Sequence, residues 1–70
     1  MEEDAKRRLQ DLSSGHVFEI GAYVRIKEGE YMSRLAEVLG FRPDAGQITV
    51  QFYSESDSLE LPMKNLEPWP

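Results

Sequence analysis

The chain has 70 residues, which permits a single small domain, and its 40% hydrophobic and 30% charged residues are those of a folding chain rather than a disordered tail. It has no cysteine and one histidine, His16, which excludes disulfide staples, thiolate zinc sites, cysteine nucleophiles and paired-histidine metal sites. The net charge of −5 disfavours unspecific phosphate binding by the chain as a whole, and no apolar run reaches the roughly 18–20 residues that span a bilayer.

In chain order, Glu2–Leu12 is expected as a short helix. Glu3–Arg7 and Asp4–Arg8 are acid-to-base pairs at i,i+4, and Ala5, Leu9 and Leu12 line one thin apolar stripe. Ser13-Ser14-Gly15 ends it, with Gly15 suited to a left-handed cap. Residues 1–16 are accordingly expected as helix and linker, with Phe18 packing where the helix meets the rest.

From Val17 onward the period is two. Ala22, Val24 and Ile26 alternate with Tyr23, Arg25 and Lys27, which predicts a half-buried strand. Glu28-Gly29-Glu30 breaks it, and Leu35–Phe41 forms a second strand with Ala36 and Val38 on one face. Arg42–Gly46 is dense in turn formers. In Gln47–Tyr53, Ile48, Val50 and Phe52 face in, while Gln47, Thr49 and Gln51 face out. Ser54–Asp57 is a polar hairpin loop, Leu59 and Leu61 alternate again, Lys64–Leu66 suits a 3₁₀ turn, and Glu67–Trp69 suits a last edge strand. The core expected is Val24, Ile26, Ala36, Val38, Ile48, Val50, Phe52, Leu59, Leu61 and Leu66. Several short strands in so short a chain favour an all-β barrel, because closure removes exposed edges.

These residues resemble the SH3-like barrels. Gly29 to Val38 is similar to a KOW motif through Gly29, Tyr31, Glu37 and Val38, with Arg34 and Leu35 as conservative substitutions and Ser33 and Ala36 where the motif carries glycine. Gly46 to Pro68 resembles a Tudor domain through Val50, Phe52, Leu66 and Pro68. Gly21, Val24, Arg25, Ile26 and Leu66-Glu67-Pro68 are similar to the SH3-like subunit S of the photosynthetic NDH complex. The resemblance implies a five-stranded SH3-like barrel over residues 17–70. It is specific for the fold and broad for function.

Catalytic chemistry has little material. His16 reads as a solvated loop residue, and the i,i+2 carboxylates Glu28/Glu30 and Glu55/Asp57 read as solvated turn charges. No phosphate loop, zinc spacing or nucleotide fingerprint occurs, so no cofactor and no enzyme activity are expected. The expected function is a non-catalytic module or small subunit that engages another protein, as a soluble intracellular monomer without membrane insertion. Tyr31, Tyr53, Glu55 and Asp57 combine rings with carboxylates, a set suited to a cationic side chain from a basic peptide segment. Residues 44–70 carry Asp44, Glu55, Asp57, Glu60 and Glu67 against Lys64 alone, a local −4 that favours such a partner. Two other readings use different residues, Arg25, Lys27, Arg34 and Arg42 for the first and Arg25 with Trp69 for the second. One is nucleic-acid association, as the KOW resemblance implies. The other is docking of an acidic ferredoxin, as the NDH resemblance implies.

Overall fold

The computed structural model describes residues 8–69, and within them the chain is all-β, with no α-helix. Seven strands form two antiparallel sheets: β1 (Arg8–Gln10) with β2 (Val17–Glu19), and a five-stranded sheet of β3 (Tyr23–Ile26), β4 (Leu35–Arg42), β5 (Gln47–Phe52), β6 (Ser58–Pro62) and β7 (Leu66–Pro68). The larger sheet has the order β6-β5-β4-β3-β7, so a four-strand meander is followed by a last strand that returns beside the first. Short 3₁₀ turns at Pro43–Ala45 and Met63–Asn65 join β4 to β5 and β6 to β7.

The expected helix over 2–12 is corrected where it can be seen; its first residues, 2–7, lie outside the described residues. Arg8–Gln10 is a strand, with Leu9 directly opposite Phe18. An 11-residue helix in water is marginal, because nucleation fixes several residues for one hydrogen bond. Strand pairing instead satisfies the backbone of both segments and drives Phe18 into the core, where it is almost wholly buried. Leu12, assigned to the apolar stripe, is 87% exposed in the loop between β1 and β2.

That loop is organised by Asp11. Its carboxylate accepts from the Ser13 hydroxyl at 2.8 Å, the Ser14 hydroxyl at 2.9 Å and the Ser13 N–H at 3.1 Å. Its backbone carbonyl accepts from the Gly15 N–H at 2.7 Å, and Gly15 takes φ 80°, a value that glycine adopts without strain. Asp11 is buried, and the Ser13 and Ser14 hydroxyls, with the backbone N–H groups beside them, hold its carboxyl below the usual aspartate value.

The inward positions of the larger sheet, together with Phe18, make one core: Val24, Ile26, Ala36, Val38, Ile48, Val50, Phe52 and Leu66. Leu59 and Leu61 are half-buried and pack against it, as do Tyr31, Phe41 and Met63. Phe41 is there because of a bulge. β4 runs in register with β5 as Val38 opposite Val50, then Gly40 opposite Thr49, so Leu39 is the extra residue. Strict alternation from Ala36 and Val38 puts Gly40 inside and Phe41 outside. The inserted residue resets the phase, and Phe41 pairs with the buried Ile48.

Ser33 is the one non-glycine residue with positive φ among the described residues, at 75°. It closes the loop between β3 and β4, where its N–H donates to the Ile26 carbonyl at 2.8 Å. A left-handed serine is strained by roughly 1–2 kcal/mol.

Candidate binding face

The outward face of β3, β4 and β5 is built from the residues that alternate with the core. Across it, Tyr23 stands directly opposite Glu37, and Glu37 directly opposite Gln51. One step along, Arg25 lies between Leu35 on β4 and Glu67 on β7. The Trp69 N–H donates to the Tyr23 carbonyl at 3.0 Å, which extends β7 and sets Trp69 beside Tyr23. Tyr23, Leu35, Tyr53 and Trp69 are all exposed on or next to this face, Tyr53 to 93%. A groove of about 320 Å³ crosses it, lined by Tyr23, Glu37, Gln51, Phe52, Tyr53 and Glu55.

The turn after β5 shapes one wall of the groove. The Glu55 N–H donates to the Phe52 carbonyl at 3.1 Å, and the Gln51 amide donates to the Ser56 carbonyl at 2.8 Å. Tyr53 thus follows Gln51 in the same outward phase, just beyond the end of the strand.

Of the four residues singled out for a cationic partner, two line this groove: Tyr53 and Glu55. Tyr31 sits elsewhere, its ring 5.1 Å from that of Phe52 at 42°, half-buried against the core. Asp57 is exposed and forms no ion pair with any described residue. For Glu55 the chain supplies a cation of its own. The Arg34 guanidinium lies 3.9 Å from the Phe52 ring centroid and donates to the Glu55 carboxylate at 2.8 Å. Tyr23, Glu37 and Gln51 are groove residues that the linear pattern did not single out for a site, and Phe52 was assigned to the core. Only the strand register puts Tyr23 and Glu37 beside Tyr53 and Glu55.

The arginines proposed for nucleic-acid association, Arg25 among them also for ferredoxin docking, are each engaged by a glutamate. Arg25 is 3.4 Å from Glu67, Arg34 is 2.8 Å from Glu55, and Arg42 is 2.9 Å from Glu60. Lys27 is half-buried, with its N–H donating to the Asn65 carbonyl. Glu37, by contrast, has no ion-pair partner among the described residues.

A second cleft, of about 410 Å³, lies where the β1–β2 loop meets the two 3₁₀ turns, lined by Asp11, Ser13, Gln47, Met63, Lys64 and their neighbours. His16 stands edge-on to Phe18 with ring centroids 6.1 Å apart, and its Nδ1 is buried without a hydrogen-bond partner. No group of three or more metal-ligating side chains gathers among the described residues, and no helix among them is long and apolar enough to cross a membrane. No protein-family model, curated protein or solved structure matches the chain.

Proposed function

We propose that this chain is a non-catalytic module that binds another protein, built on a five-stranded SH3-like barrel of β3 to β7. What supports the barrel reading is the strand order, a meander followed by a 3₁₀ turn at Met63–Asn65 and the return of β7 to β3; β6 and β7 are the two edges of the sheet, which is not closed by a pairing between them. The observation that carries the binding reading is the outward face itself. Three large rings, Tyr23, Tyr53 and Trp69, are exposed with Leu35 on or beside one sheet face in a chain of 70 residues, and Tyr23 and Tyr53 line its groove. Tyrosine and tryptophan are the side chains that most often anchor protein interfaces, because they bring large contact area at a small cost in rotamer entropy.

The test places a photo-crosslinking amino acid at Tyr53 and, as a control, at Lys64. Irradiation in an extract of the source cell is expected to give a defined, protease-sensitive adduct from position 53 and none from position 64. An adduct sensitive to nuclease instead, or equal labelling at both positions, overturns the reading.

A further inference from the structure

The groove has a chemistry more specific than its apolar rim. We propose that it receives a cationic side chain of the partner, lysine or arginine, between the Tyr23 and Tyr53 rings, with Glu37 as the counter-charge. This inference rests on the protein-binding reading above and names its ligand.

Four observations carry it. First, the register puts Glu37 at the centre of the groove, directly opposite Tyr23 on one side and Gln51 on the other. Directly paired residues of neighbouring strands have Cβ atoms about 4.5–5.5 Å apart, so ring and carboxylate reach the same point above the sheet. Second, Glu37 is the unsatisfied carboxylate here. The Arg34 guanidinium already compensates Glu55, whereas Glu37 has no cation among the described residues. Third, the Gln51 amide donates to the Ser56 carbonyl and forms no side-chain hydrogen bond with Glu37. Fourth, a volume of about 320 Å³ stands at the small end of the roughly 300–1,000 Å³ of ligand sites, which suits one long side chain.

The sign of the ligand follows from these charges. An anion would meet Glu37 and a chain of net charge −5. A cation meets a carboxylate with no ion-pair partner among the described residues and the faces or edges of two phenol rings, each worth most when water is displaced from it. At one end of the groove the chain already uses this chemistry on itself, where Arg34 covers Phe52 and pairs with Glu55. The proposed site repeats it for a cation from outside. Binding through a single side chain is weak, in the micromolar to millimolar range, and attraction to the acidic surface is screened as salt rises.

The experiment is a titration of the ¹⁵N-labelled 70-residue chain, followed by amide chemical shifts, with three probes: an octapeptide rich in lysine and arginine, an acidic octapeptide of equal length, and a short RNA. The basic peptide is expected to move the amides of Tyr23, Glu37, Gln51, Tyr53 and Glu55, and the other two probes are not. Glu37→Gln and Tyr53→Ala are each expected to weaken binding about three- to tenfold. Glu60→Gln, which removes a carboxylate paired with Arg42 outside the groove, is expected to leave it unchanged. If Tyr53→Ala loses binding while Glu37→Gln keeps it, cation recognition is overturned and the protein-binding face stands. Shifts spread over the whole acidic surface also overturn the inference. Movement of these amides by RNA and not by peptide overturns both readings.

Discussion

Arg34 lies over Phe52, its guanidinium carbon 3.9 Å from the ring centroid. This contact ties the long β3–β4 loop to the end of β5, because Arg34 also reaches Glu55 in the next turn and the Tyr31 ring packs at a tilt against the same ring. One buried phenylalanine thus holds together the two loops that the sequence offered as a ligand cage. Of the four residues read from the sequence as that cage, Glu55 is paired with a cation of the same molecule, Arg34.

The Arg34–Glu55 pair is partly exposed, so its worth is modest. A double-mutant cycle with Arg34→Met and Glu55→Gln, read by urea denaturation, is expected to give a coupling of about 0.2–1 kcal/mol that shrinks in high salt. A coupling of zero at low salt contradicts the geometry.

Tyr31 and Tyr53 differ sharply in stability terms. Tyr31→Ala is expected to cost about 1–2 kcal/mol, from the lost ring pair with Phe52 and partial burial. Tyr53, at 93% exposure, is expected to change stability by less than about 0.5 kcal/mol when replaced by alanine. Equal thermal shifts for the two variants would contradict this assignment.

Backbone conformation makes a paired prediction in one loop. Ser33→Gly relieves a φ of 75° and is expected to stabilise the domain by about 0.5–1 kcal/mol. Gly29→Ala, at φ 95° with nothing within 4 Å of the added Cβ, is expected to destabilise by about 1–2 kcal/mol through conformation alone. Chemical denaturation midpoints of the two variants should move in opposite directions.

Asp11 predicts a pH dependence with a definite sign. Its folded-state pKa is lowered by the Ser13 and Ser14 hydroxyls from the ordinary 3.8. The native state therefore holds the ionised form more strongly than the unfolded chain does. The resulting stabilisation is fully present above pH 3.8 and is lost as pH falls through the lower folded-state value. Asp11→Asn is expected to lower Tm at neutral pH, and the gap from the parent chain is expected to narrow below that point. A constant gap down to strongly acidic pH would show that the ionised form is not what the serines hold.

The strands from Tyr23 to Phe52 were legible in the sequence because alternation is a local property. Val24 and Ile26, then Ala36 and Val38, then Ile48, Val50 and Phe52 each declare an inward face within a few residues, and all are buried. The turn at Pro43–Ala45 and the last strand followed from proline, glycine and spacing in the same way. Three features were decided only by the folded chain. The helical pairing of charges before Ser13 was a weak local preference, and for residues 8–10 it lost to the pairing of Leu9 with Phe18, which exists only once the hairpin closes. The bulge at Leu39 moved Phe41 to the core side because two strands of unequal path had to stay in register, which no single strand records. The groove was assembled by lateral neighbours, Tyr23, Glu37 and Gln51, drawn from three strands. A side chain's direction in or out is set by its own strand, but its neighbour across the sheet is set by register, and register is a property of the whole fold.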